Sequence, residues 1–210
     1  MMSAKRNSTA TRQARDSDPV LRAARTLFLE AGYDGVNLQR VATRAGVSRQ
    51  TLYNRFGSKE AVFEAMLEQH WAAFADGMQI SAETKATSAS KALRQVAERI
   101  LGFIDATDQI AFTRLVVAEA SRRPWIAETF YRVGKAPLLR SFVALLRQLE
   151  DAGAIDCPDP ALAARQFLGL IQEFVIWPQV MAIGPPLKDL PPRDRVVDEA
   201  IATFLARYGR

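Results

Sequence analysis

The sequence predicts an all-α protein in two parts, a small N-terminal head and a larger helical C-terminal part. Three observations carry this. Apolar residues recur at three- and four-residue spacing along most of the chain, Gly, Pro and capping residues interrupt them at helix-length intervals, and no alternating strand pattern competes. The 210 residues are 49% hydrophobic, enough for one medium core or two small ones, so a folded globular protein is expected. The net charge of +5 is unevenly spread: residues 1–60 hold 11 Lys/Arg against 5 Asp/Glu, and the others hold 17 against 18. A polyanion-binding surface is therefore expected in the head.

Residues 1–16 are polar and aperiodic and are expected to form a disordered basic arm. Lys5, Arg6, Arg12 and Arg15 either follow phosphates or a minor groove, or stay solvated. The head is expected over 17–62. Its first helix starts at Ser17 or Asp18 with Pro19 in the first turn, where a missing N–H costs nothing. Leu21, Ala24, Leu27, Phe28 and Ala31 form the buried stripe, and Gly32 ends the helix. In the stretch NLQRVATRAGVSRQTLYNRFGSKE, residues 37–60, Leu38, Val41, Ala42 and Ala45 fall at helical spacing. Gly46 stops that helix, Ser48 caps the next, and Leu52 and Phe56 give the next its apolar edge. Small Ala42, Gly46 in the turn and Leu52 behind it let the two helices cross at the steep angle of a helix-turn-helix. Gly46 is read as a position of positive φ, which a β-carbon penalises. Ser58 caps a fourth helix, with Glu60 in its first turn.

The remainder, 63–210, is expected to bind an effector and to dimerise. A Gly/Ser/Thr/Ala-rich linker runs from 76 to about 90, followed by helices over 90–106, 109–121 and 124–131, a break from Gly134 to Pro137, and helices over 138–152, 161–177 and 193–208. Asp159 and Pro160 open the second of these last three. Residues 184–192, GPPLKDLPP, cannot form regular structure.

Residues 41–67, VATRAGVSRQTLYNRFGSKEAVFEAML, resemble the TetR family of transcriptional repressors, with AGVS, TLY, F and SKE at fixed offsets. The preceding helix, LRAARTLFLEAGYDGV, is also similar to the family's first helix. The resemblance covers roughly the first third of the chain and speaks for DNA binding. A second resemblance, from FTRLVVAEASRRPWIAETFYRVG to ARQFLGLI, is to the AefR-like repressors and implies fold and dimerisation rather than a ligand. Asn37 stands where the family usually has Thr, which caps equally well. Gln50 stands where it often has a small residue, so a relative's operator does not transfer.

The reading face follows from geometry. The N-terminal residues of a second helix in a helix-turn-helix reach base edges in the major groove. Gln50 and Asn54 lie one turn apart, and each pairs bidentately with adenine. Arg49 suits guanine or phosphate, and Thr51 a base edge or a thymine methyl. Asn37, at a helix start, offers a backbone amide to phosphate. The resemblance implies phosphate contacts for Tyr53, Ser48 and Lys59.

One such motif reads only a few base pairs, so a homodimer on double-stranded inverted-repeat operator DNA is expected. The candidate interface is Leu138, Phe142, Leu145 and Leu149 on one helix with Leu162, Phe167, Leu170, Ile171 and Phe174 on the next, as an isologous four-helix contact. The alternative is that these residues fill the protomer's own core. The family resemblance places an effector pocket among the middle helices of the C-terminal part. Phe103, Phe112, Trp125, Phe130, Phe167, Phe174 and Trp177 are candidates for an apolar lining, with Arg114, Glu119, Gln172 and Glu173 as orienting polar groups, suited to a small apolar or aromatic ligand.

Catalysis, cofactors and metals find no support. Cys157 and His70 are the sole residues of their kinds, and no phosphate loop, nucleophile elbow or zinc-binding helix motif is present. With one cysteine, no internal disulfide forms, and no apolar run reaches membrane-spanning length, so a cytoplasmic protein without a membrane partner is expected. The expected function is a dimeric repressor released by its ligand. The alternatives are an activator or effector-independent regulator, or a helical interaction module whose basic head binds RNA or a membrane surface.

Overall fold

The computed structural model describes residues 18–75, 88–182 and 190–210. The expected arm, most of the linker and most of the 184–192 stretch lie outside these. The described residues are helical, and the β-type pairing among them is an isolated bridge between Ile155 and Gly209.

Capping side chains set the helix starts. In α1 (Pro19–Ala31) the Asp18 carboxylate accepts from the Val20 N–H at 3.0 Å and Pro19 occupies the first turn. Asn37 caps α2 (Leu38–Ala45) through the Arg40 N–H at 2.9 Å. Ser48 caps α3 (Arg49–Phe56) through the Thr51 N–H at 3.0 Å. Ser58 does the same for α4 (Lys59–Ala75) through the Ala61 N–H at 3.1 Å. Then come α5 (Ala89–Ala106), opened by Ser88, and α6 (Gln109–Ala120). Next are α7 (Pro124–Phe130), α8 (Ala136–Asp151) and α9 (Pro160–Val175), the last capped by Asp159. The short α10 (Trp177–Val180) and the final α11 (Arg193–Tyr208) complete the chain.

The break expected from Gly134 to Pro137 does not occur. The backbone passes from α7 through a π-helical turn, Tyr131–Lys135, straight into α8. Pro137 lies in the first turn of α8, where it has no N–H to miss.

The described residues fall into two compact units. The first runs to Ala73 and also takes in Leu115–Val133. Its centre is a group of rings: Phe28 lies 5.0 Å from Phe63, and Tyr33 5.5 Å from Phe63. Trp125 closes over both, 5.5 Å from Tyr33 and 5.7 Å from Phe63, all edge-on. Trp125, with Glu119 on the Tyr33 amide and Phe130 on Trp71, joins the 115–133 segment to this unit.

The second unit comprises Phe74–Arg114 and Gly134–Arg210. Here α9 packs against both α8 and α11, and α5 against α11. Phe167 is its centre, fully buried, 5.5 Å from Phe142 of α8 and 5.7 Å from Phe204 of α11. This corrects most of the expected dimer surface. Leu138, Phe142, Leu145 and Leu149, with Phe167 and Ile171, are buried inside this unit, so they have no face to offer a second copy. Leu162, Leu170 and Phe174 are exposed. The stripe of α8 faces inward, with Phe142 against Phe167. Cys157 is also fully buried in the loop after α8, where burial and the neighbouring Glu150 carboxylate raise its thiol pKa.

Candidate nucleic-acid interface

α3 buries one side chain, Leu52. Arg49, Gln50, Thr51, Tyr53, Asn54 and Arg55 all face solvent. Within this exposed set the side chains form i, i+4 pairs. Gln50 Nε2 donates to Asn54 Oδ1 at 2.7 Å, and the Arg49 guanidinium lies 5.2 Å over the Tyr53 ring. Gln50 and Asn54 are therefore on one face, as their spacing requires. The Ser48 and Thr51 hydroxyls lie 2.8 Å apart at the N-terminal end of the helix, where backbone amides point outward. Asn37 is exposed at the corresponding end of α2.

The turn between α2 and α3 depends on Gly46, which takes the left-handed conformation at φ 69°, ψ 28° and donates back to the carbonyls of Ala42 and Thr43. Nothing lies within 4 Å of where a β-carbon would stand, so the requirement is conformational rather than steric.

Lys59 opens α4, and its ammonium lies 4.2 Å over the Tyr33 ring. Burial lowers its pKa, against the opposing pull of Asp34. The Tyr33 hydroxyl donates to Glu60 Oε1 at 2.8 Å. Burial and that carboxylate together raise the tyrosine pKa well above its ordinary range. Glu60 is held below the usual carboxylate range by its own backbone N–H and then by the tyrosine hydroxyl. At the C-terminal end of α3, Arg55 spans to the buried carboxylate of Asp18, with Nη1 3.1 Å from Oδ1 and Nη2 on Oδ2. The sequence does not flag this pair. A basic residue in the last turn of a surface helix and an N-cap aspartate 37 positions earlier each have an ordinary local explanation.

The effector candidates separate between the two units. Glu119, Trp125 and Phe130 belong to the first. Glu119 is buried and accepts from the Tyr33 N–H at 3.3 Å and from Arg123 at 2.6 Å. Trp125 covers Tyr33, and Phe130 stacks edge-on to Trp71 at 5.4 Å. In the second unit, Phe112 is fully buried, and the half-buried Phe103 lies 4.8 Å from Phe74. Arg114 donates to the carbonyls of Gln179 and Val180. Gln172 is half-buried, whereas Glu173, Phe174 and Trp177 are exposed. A groove of about 520 Å³ runs between α9 and α11, lined by Leu170, Phe174, Val196, Ala200, Arg195, Glu199 and their neighbours.

His70 is buried beside Trp71. Among the described residues no group of three or more His, Cys, Asp or Glu is placed to hold a metal ion. No described helix is long and apolar enough to cross a membrane.

Comparison with known proteins finds matches in both the N-terminal and the C-terminal part of the chain. A family model of bacterial regulatory proteins of the tetR family matches residues 20–66, and one of the C-terminal domain of AefR-like transcriptional repressors matches residues 91–210. The HTH-type transcriptional activator FasR of Mycolicibacterium smegmatis is 32% identical over 90 residues, 43% of this chain and 41% of that protein. The HTH-type transcriptional repressor NicS of Pseudomonas putida is 32% identical over 74 residues, 35% of each. The matches thus span less than half the length of these curated relatives. The solved structure of the Flavonoid-responsive Regulator FrrA superposes with a TM-score of 0.76 at 29% identity, over 93% of this chain and 98% of that one. Matched by its helix-turn-helix and again by its C-terminal helices, this chain belongs to the TetR family, a family of transcription regulators and not of enzymes.

Proposed function

We propose that the protein is a dimeric transcriptional repressor that reads an inverted-repeat operator with α3 of each copy and is released by a small apolar or aromatic ligand. The observation that carries the DNA reading is the solvent-facing row of α3, with Gln50 and Asn54 paired on one face and Arg49 laid on Tyr53 beside them. Arg49, Gln50 and Asn54 are exposed polar side chains on a helix whose buried side chain is Leu52, and Tyr53 beside them is 38% exposed. They suit base edges, flanked by the amide end of α3 for phosphate.

A second copy is supported by the surface of α9, on which Leu162 is 49%, Leu170 36% and Phe174 38% exposed. The groove beside α11 adds Val196 and Ala200 as apolar floor, with Arg195, Glu199 and Thr203 at its edge. A face with both charge signs around an apolar centre can pair with itself about a two-fold axis. The proposed interface is therefore α9 with α11, in place of the α8 with α9 expected from sequence.

The aromatic side chains of the second unit, Phe103 and Phe74 among them, support an aromatic or apolar ligand, and so does the flavonoid response of FrrA. Release then follows from linkage. A ligand that prefers a conformer with badly spaced heads weakens operator binding by the factor by which operator weakens the ligand.

Selection of duplexes from a random pool, at near-physiological salt, tests the reading. An enriched inverted repeat is expected, and Asn54→Ala should weaken it by about tenfold or more, the worth of one bidentate base contact. Binding without enrichment, or an Asn54→Ala variant that binds as wild type does, rejects α3 as the reader and favours an RNA or membrane partner for the basic head. FasR, an activator, supports a second reading in which the same operator contact activates. A reporter downstream of the selected site decides between them by the sign of its change when the protein is removed.

A further inference from the structure

We infer that Asp18 and Arg55 are positioning residues for sequence reading: their ion pair fixes the rotation of α3 about its single buried side chain. The inference rests on the reading of α3 as the DNA-contacting helix. A helix of eight residues with one buried side chain, Leu52, and Phe56 half-buried one turn on is held along a single line, and a line of apolar contact resists translation better than roll. The Ser48 cap fixes the start of the helix but lies close to its axis.

Arg55 supplies the missing constraint. It stands about 100° around the helix from Asn54, away from the reading row. Both of its terminal nitrogens meet both oxygens of Asp18, and a planar fork on a planar carboxylate fixes orientation as well as distance. The anchor does not move, because the Asp18 side chain is 6% exposed and its Oδ1 also takes the Val20 N–H at the start of α1. One buried carboxylate thereby caps the first helix of the head and sets the angle of the third. With the pair broken, α3 keeps its fold and its cap, but the row of Gln50 and Asn54 rolls relative to the groove.

The competing role is that Arg55, whose side chain is 51% exposed, itself binds phosphate. Asp18→Asn separates the two, because asparagine caps as well as aspartate while removing the charge that holds Arg55. The experiment measures affinity for the selected operator and for a random duplex across a salt series, using the intact protein, for Asp18→Asn, Arg55→Met, the double variant and Asn54→Ala. Arg55→Lys takes the place of Arg55→Met if the latter does not fold, since it keeps the charge and loses the fork. Thermal unfolding confirms that each variant is folded at the assay temperature.

The expected result is a loss of about tenfold in the operator-to-random ratio for each single variant, no further loss in the double variant and an unchanged salt slope. The inference is overturned if Asp18→Asn keeps the wild-type ratio. It is also overturned if Arg55→Met lowers both affinities alike and reduces the salt slope by about 0.9, the mark of one lost phosphate contact. Asn54→Ala distinguishes the failures. If it loses preference while Asp18→Asn does not, only the positioning role falls; if it loses none, the reading of α3 falls and this inference with it.

Discussion

Glu119 shows what a single residue does in this molecule. It is a carboxylate 4% exposed, and both of its oxygens are engaged, one receiving the Tyr33 amide and the other the Arg123 guanidinium, with Arg122 3.6 Å away. Arg123 continues to Asp34 and lies 4.9 Å over the Tyr33 ring. The residues after α1 are thus clasped by a chain segment 86 positions later. Replacing Glu119 with Ala leaves a buried amide and a half-buried guanidinium without their acceptor, a loss of roughly 1–3 kcal/mol in urea unfolding. Glu119→Gln, which keeps an acceptor, should lose less. Equal losses for the two would mean that packing rather than the hydrogen bonds matters here. From sequence, Glu119 reads as an orienting group in an effector pocket, because periodicity shows that a carboxylate sits on an apolar helix but not which distant amide it meets. The α3 row was legible for the opposite reason, since its geometry is set within eight residues.

At the scale of elements, the chain announces its starts and stops locally. Asp18, Asn37, Ser48, Ser58 and Asp159 each cap the helix they precede, and α1, α9 and α11 lie within a residue or two of where spacing and breakers put them. Two substitutions test the helix-turn-helix as an element. Gly46→Ala meets no side chain yet must hold φ near 69°, so a cost of roughly 1–2 kcal/mol is expected. Ser48→Ala should cost about 1 kcal/mol for the lost cap. Thermal denaturation checks both, and a Gly46→Ala midpoint equal to wild type would contradict the left-handed turn. The π turn was not legible. One extra residue in a helical turn changes the hydrogen-bond register without changing composition, and Gly134 with Pro137 looks like a terminator whenever the neighbours that bury Gly134 are unknown.

For the molecule as a whole, the all-α class and the order of its parts follow from periodicity, whereas the outward face of the C-terminal helices does not. Helices α8 and α9 both carry a long apolar stripe, and the packing of Phe142 on Phe167 tells which stripe is spent inside. The dimer is therefore tested on the stripe that remains. Leu170→Glu with Phe174→Glu places four like charges across a two-fold contact, so sedimentation should report a monomer and operator affinity should fall by an order of magnitude or more. A dimer that survives these changes would place the contact elsewhere. The head has a further property, in time rather than in space. Trp125 and Glu119, which complete it, are made well after Ala73, and at roughly 5 to 20 residues per second the ribosome needs several seconds to reach them. A nascent chain thus carries all of α3 before it carries Trp125 and Glu119, and the head's core is completed only once that part of the C-terminal region has been made.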